Sequence, residues 1–170
     1  MKELFIVIDM QHDFIDGTLG SEELKAVVPA VKTAIIGAQE RGAEIVYTQD
    51  THGAEYLKTQ EGKKLPVPHC IRGTHGWEIL PELYLAGARV FEKPTFGSTA
   101  LAEYARAGGY DTFTLVGVCT DICVISNAML LKAYCPEAEV QVISAACAGT
   151  SQQNHAAALT AMDCCQITVL

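Results

Sequence analysis

The chain has 170 residues, 49% hydrophobic and 19% charged, a balance that excludes a disordered or fibrous protein and suits one substantial core. Twelve basic residues against 20 acidic ones leave a net charge of −8. That sign repels phosphate backbones and anionic lipid, which points away from nucleic acid and membrane and toward a small-molecule partner. No stretch approaches the ~18 consecutive apolar residues of a membrane-spanning helix. The opening decapeptide carries two acids around an apolar run of only five and does not read as a secretory leader. The seven cysteines are therefore read as free thiols of a reducing, cytoplasmic compartment.

Leu4-Phe5-Ile6-Val7-Ile8 is a continuous apolar run closed by Asp9, the pattern of a strand buried on both faces of a parallel sheet. Pro29 suits a first helical turn, and Val31, Ile35 and Ala38 continue a helix closed by Gly42. Residues 44–47 read as a second strand. Residues 50–76 break the alternation, being polar, punctuated by Gly and Pro, and holding three of the five histidines; connections this long in a compact domain tend to carry function. A third strand follows at 88–91, then a helix through Leu101, Tyr104 and Ala105 stopped by Gly108-Gly109. Residues 112–118 read as a fourth strand, 121–134 as a helix ended by Pro136, and 140–143 as a fifth strand. Thr150 with Gln153 has capping-box spacing and predicts a last helix through Met162, before a final strand at 166–169. The alternation predicts a single α/β domain over 1–170. It is a three-layer, doubly wound sheet of about six mostly parallel strands, with helices on both faces.

Ligands of such sheets bind outside the carboxyl ends of the strands, so chemistry is sought there. Asp9, Asp50 and Lys93 each close or follow a strand, and the segment 117–123 turns the fourth strand into a helix. With Thr120 as cap, Cys123 falls in the first helical turn, where the macrodipole favours a thiolate nucleophile. The alternative is a small packing residue. Asp9 supplies a candidate general base against a plain loop cap, and Lys93 a candidate cation for the thiolate against a solvated surface lysine. Asp50 and His52, with Glu61 and His69 along the same loop, form a donor set suited to Zn²⁺, Mn²⁺ or Fe²⁺, although loop histidines are commonly just solvated. His12, His75 and His155 have no convergent partner and read as hydrogen-bonding or surface residues.

Together, Asp9-Met10-Gln11-His12-Asp13-Phe14, Asp50-x-His52, Pro68-His69-Cys70, Lys93 and Gly117-Val118-x-Thr120-Asp121-x-Cys123-Val124 resemble the isochorismatase-like cysteine hydrolases. Within that superfamily, the nicotinamidase/pyrazinamidase branch matches best. The resemblance implies a catalytic Asp9–Lys93–Cys123 triad that cleaves an amide through a thioester. It also implies a non-proline cis peptide at Val118–Cys119, whose neighbourhood aims the amides of Cys119 and Cys123 at an oxyanion. Cys119 stands where alanine is more usual, which adds a redox question.

The resemblance further implies a divalent metal, most simply Zn²⁺, held by Asp50, His52, Glu61 and His69, no organic cofactor, and assembly as a homo-oligomer. The metal set separates the chain from metal-free carbamoyl amidohydrolases, and Cys123 separates it from isochorismatases that lack the nucleophile. Pro66 occupies a position where an aromatic usually walls the ring pocket, leaving Phe14, Phe96 and Trp77 as candidate walls. The expected activity is conversion of nicotinamide to nicotinate and ammonia, as in NAD salvage. Hydrolysis of another small amide or carbamoyl compound is the alternative within the superfamily; a noncatalytic metal- or redox-responsive binding protein is the alternative outside it.

Overall fold

The computed structural model describes residues 2–170. In chain order its elements are β1 (Glu3–Ile8), α1 (His12–Ile15), α2 (Glu22–Ala26), α3 (Val28–Glu40), β2 (Glu44–Asp50), α4 (Gln60–Lys64), β3 (Arg89–Lys93), α5 (Thr99–Gly108), β4 (Thr112–Val118), α6 (Ile125–Tyr134), β5 (Glu139–Ala148), α7 (Gln152–Cys164) and β6 (Thr168–Val169). The sheet order is β3-β2-β1-β4-β5-β6, and every pairing is parallel, so the sheet is wholly rather than mostly parallel.

Alternation along β1 divides the core into two layers. Leu4, Ile6 and Ile8 face one layer with Leu101, Val124, Ala128 and Met162 from α5, α7 and the segment leading into and along α6. Phe5 and Val7 face the other with Val31, Ile35 and Ala38 of α3. All five apolar β1 residues are fully buried. Each such side chain contributes about 1.5–3 kcal/mol on burial, which is why this run reads so plainly as a central strand.

Strand order reverses between β1 and β4, and that reversal opens the crevice where doubly wound sheets take ligands. Gly117 lets the two strands approach there. Its φ is +118°, and a Cβ at this position would stand 2.1 Å from the Ile8 carbonyl oxygen, which no side chain tolerates.

Three local expectations need correction. β2 runs on to Asp50 through polar Thr48 and Gln49, because buried partners satisfy them: Thr48 pairs with Asp9, and Gln49 donates to the Trp77 carbonyl. The cap of α7 is Ser151, which accepts from the Asn154 amide at 3.1 Å, while Thr150 instead pairs with Asp121. Residues 121–134 are not one helix. A π-type turn, Thr120–Val124, precedes α6, and Thr120 bonds to His155 Nδ1 at 2.8 Å instead of capping.

Candidate active site

Four adjacent strand ends converge. Asp9 follows β1 in a left-handed conformation (φ +47°), Asp50 and Lys93 are register partners closing β2 and β3, and Cys123 lies in the turn after β4. The Lys93 side chain reaches from β3 to residues at the ends of β2, β1 and β4. Its Nζ stands 2.6 Å from Asp9 Oδ2, 3.3 Å from Asp50 Oδ1 and 3.5 Å from Cys123 Sγ, and donates to the Thr95 carbonyl at 3.1 Å. Asp9 is 0% and Lys93 1% exposed. Thr48 on β2 fixes the far side of the carboxylate: its hydroxyl donates to Asp9 Oδ1 at 2.6 Å and accepts from the Asp9 amide at 3.2 Å. Asp9 Oδ2 has no well-aligned hydrogen bond despite its ion pair, which leaves it open to a second donor.

Burial sets the proton inventory of this trio. It pushes Asp9 above the ordinary carboxylate range, against the opposing pull of the Lys93 charge. Burial alone would lower Lys93, but the charges of Asp9 and Asp50 overcome it and hold the ammonium firmly. Burial, then the Asp9 charge, raises the Cys123 thiol well above its ordinary value. The expectation of a helix-stabilised thiolate is therefore corrected. The regular α-helix begins only at Ile125, so Cys123 precedes its first turn, and burial beside the Asp9 carboxylate favours the thiol over the thiolate. Use of Cys123 as a nucleophile would therefore call for a base that removes its proton during attack.

The second cluster adjoins the first through Asp50. Asp50 Oδ2 lies 2.9 Å from His52 Nε2 and 3.5 Å from His69 Nε2, and Glu61 Oε1 lies 3.6 and 3.5 Å from the same two nitrogens. One donor atom from each of the four residues falls within 4.8 Å of all the others. Tetrahedral zinc with ligand bonds of ~2.0–2.2 Å has donor–donor edges of roughly 3.3–3.6 Å, so three of these contacts already have the spacing of a metal cage. His69 Nδ1 bonds to the Val67 carbonyl at 2.8 Å, which directs Nε2 inward as a metal ligand requires. Hydrogen bonds that His69 donates to Asp50 and Glu61 overcome burial and push it up to about 10. Hydrogen bonds from His52 and His69, with the Lys93 charge, likewise overcome burial and hold Asp50 below the usual carboxylate range.

Several supporting residues escape sequence reasoning. Tyr56 is buried edge-on to both His52 and His69, at ring centroid distances of 4.8 and 5.0 Å, and donates to the Leu65 carbonyl. Gly62 makes room for it, since a Cβ there would stand 2.1 Å from the Tyr56 carbonyl oxygen. The Gln11 side chain receives from the Asp50 amide at 2.7 Å and donates to the Asp50 carbonyl at 2.9 Å, fixing the end of β2. An amide side chain after a strand gives no signal of such a role.

The pocket above these clusters is lined by Cys119, Cys123, Asp50, Glu61 and His69, by the expected Phe14 and Phe96, and by Leu19, Leu24, Leu65 and Ile122. The aliphatic walls were not anticipated, because leucines at loop and short-helix positions look like ordinary core. Trp77 is corrected: it lies outside the pocket lining, with its indole donating to Thr51 Oγ1 at 2.9 Å. His12, His75 and His155 pair with Asp16, Glu78 and Thr120. The Val118–Cys119 peptide bond is cis, and both residues are buried.

A family model described as the isochorismatase domain matches residues 3–170. The chain belongs to the isochorismatase family. Among its family relatives, the nicotinamidase/pyrazinamidase of Mycobacterium tuberculosis is 28% identical over 140 residues, covering 72% of this chain and 75% of that protein. The crystal structure of the pyrazinamidase of Pyrococcus horikoshii in complex with zinc aligns with a TM-score of 0.86 at 27% identity, covering 100% of this chain and 99% of that one. An N-carbamoylsarcosine amidase from Thermoplasma acidophilum aligns at 0.82 with 28% identity, covering 99% and 95%. This isochorismatase-family protein is an amidohydrolase, an enzyme acting on a carbon–nitrogen amide bond. No helix among the described residues is long and apolar enough to cross a membrane.

Proposed function

We propose that the protein is a metal-dependent nicotinamidase, converting nicotinamide to nicotinate and ammonia through a thioester on Cys123. The observation that carries this reading is the sharing of Asp50 between two clusters, one oxygen toward Lys93 and the other toward His52 and His69. A hydrolytic trio is thereby fixed to a four-donor cage at the floor of one pocket.

Asp50, His52, Glu61 and His69 would hold a divalent ion, most simply Zn²⁺, which when bound offers a coordination position to a pyridine nitrogen and so fixes the ring. The remaining chemistry belongs to the chain. Asp9 Oδ2 accepts the Cys123 proton as Sγ adds to the carboxamide carbon, and the Lys93 ammonium offsets the charge developing at sulfur. The backbone amides of Cys119 and Cys123 are the proposed donors to the oxyanion. Asp9 returns its proton to the departing nitrogen, the C–N bond breaks and ammonia leaves. Water then adds to the thioester with Asp9 again as base, releasing the carboxylate and restoring the thiol. Thr48 holds Asp9 Oδ1 throughout, so that Oδ2 alone faces the reaction.

The N-carbamoylsarcosine amidase likeness supports a second reading, hydrolysis of a small carbamoyl compound. Metal analysis of the purified protein with an ammonia-release screen separates the two. About one equivalent of divalent metal and turnover of nicotinamide are expected. Metal-free protein active on carbamoyl compounds alone would replace the first reading with the second.

A further inference from the structure

The pocket above Cys123 has a volume of 330 Å³. An enclosed apolar cavity of about 150 Å³ holds one benzene ring. A single pyridine ring with its carboxamide therefore leaves space for roughly one further ring.

The surplus volume has a definite chemical character. Apart from the donor cluster and the cysteines, its wall consists of Phe14, Leu19, Leu24, Leu65, Phe96 and Ile122, with no lysine or arginine. Of its two hydroxyls, Thr150 Oγ1 donates to Asp121 Oδ2 at 2.5 Å, and Ser21 Oγ accepts from the Leu24 amide at 3.2 Å, which leaves one neutral hydroxyl proton on an otherwise apolar wall. Leu65 and Phe96 stand 39% and 42% exposed, two of the six large hydrophobic residues left uncovered among the described residues. Solvent-facing apolar surface at the mouth of a pocket larger than one ring is surface that a larger ligand would cover, with the gain of about 25 cal/mol per Å² that burial brings.

We infer that the preferred substrates of this site are heteroaromatic carboxamides bearing a second neutral, apolar ring or branch, with Leu65 and Phe96 as specificity-determining residues. The inference rests on the amidase reading above. Anionic extensions are disfavoured, since the wall that would receive them is apolar and holds no lysine or arginine to offset the loss of hydration.

The test compares kcat/KM of the metal-replete protein, by ammonia release, for nicotinamide, quinoline-3-carboxamide and 7-carboxyquinoline-3-carboxamide. One methylene-sized group in an apolar pocket already discriminates about tenfold or more. The quinoline amide is therefore expected to exceed nicotinamide by at least about fivefold, with most of the gain in KM, and its carboxylated analogue to lose that gain. Leu65→Glu is expected to cut the quinoline-to-nicotinamide ratio severalfold, whereas Leu57→Glu, exposed but outside the pocket lining, leaves the ratio in place. A smaller preference in an enzyme that turns over nicotinamide overturns this inference alone, as does an unchanged ratio in Leu65→Glu. Ammonia release from none of the three amides overturns the nicotinamidase reading and the inference with it.

Discussion

The two clusters at the floor of the pocket are built in contrasting ways. Asp9, Lys93 and Cys123 stand at or just beyond strand ends, so their placement follows from sheet register and the β1–β4 reversal. The cage takes Asp50 from a strand end, but His52, Glu61 and His69 come from the irregular connection between β2 and β3, positioned by Tyr56, by Gly62 and by the Thr59 cap of α4. The strand-end trio is already paired, with Lys93 at bonding distance from Asp9. The cage holds two carboxylates against two histidines. On the proposed reading, chemistry is placed on the strand ends, and substrate orientation on a connection that a bound ion would tighten.

The largest expected effect removes the nucleophile and leaves the cage. Cys123→Ala should lower ammonia release by about 10⁴-fold or more, as deletion of a catalytic nucleophile does, with metal content and melting temperature held near those of the unmodified protein. Retained activity there would dissolve the distinction between the clusters. The converse is chelation, expected to cut turnover about 10–100-fold or more and to be reversed by Zn²⁺. Iodoacetamide should still alkylate Cys123 in the chelated protein, read by peptide mapping that separates it from the other six thiols; a Cys123 that becomes unreactive would mean that the trio depends on the cage.

A smaller effect sharpens the account of the trio itself. Thr48→Val keeps the shape but removes the hydroxyl that holds Asp9 Oδ1. A kcat loss of about tenfold, the worth of one hydrogen bond to a charged group, is expected with KM nearly unchanged, and Thr48→Ser should restore most of it. Smallest is the pH effect. Burial and the Asp9 charge raise the Cys123 pKa, so the thiolate fraction near neutrality is below that of an ordinary thiol. Its alkylation rate in the absence of substrate should therefore climb through pH 7–9 without levelling off; a plateau near pH 7 would show a preformed thiolate.

Much of the fold is legible because the central strands are continuous apolar runs with no alternative burial. Asp9 is legible for the same reason, since a charge that closes such a run lies at the sheet's binding edge; Asp50 and Lys93 are legible only as charges a little beyond shorter runs, past Thr48-Gln49 and Glu92. What is hidden depends on contacts between segments distant in sequence. The polar end of β2 looks like a loop until Asp9 and Gln11 are seen to satisfy Thr48 and Asp50. Thr150 has the spacing of a cap, yet Asp121 claims its hydroxyl and Ser151 caps α7 instead. The pocket leucines and Tyr56 carry no pattern that separates a wall or a prop from ordinary core.

Asp50 belongs to both clusters, with Oδ1 toward Lys93 and Oδ2 toward the two histidines. Such a residue is a thermodynamic hinge. Whatever binds on its Oδ2 side draws on the same charge that steadies Lys93, so a ligand at the cage and a proton in the trio influence each other by equal free energies, as linkage demands. Occupancy of one cluster is thereby written into the acidity of the other, with no moving part between them.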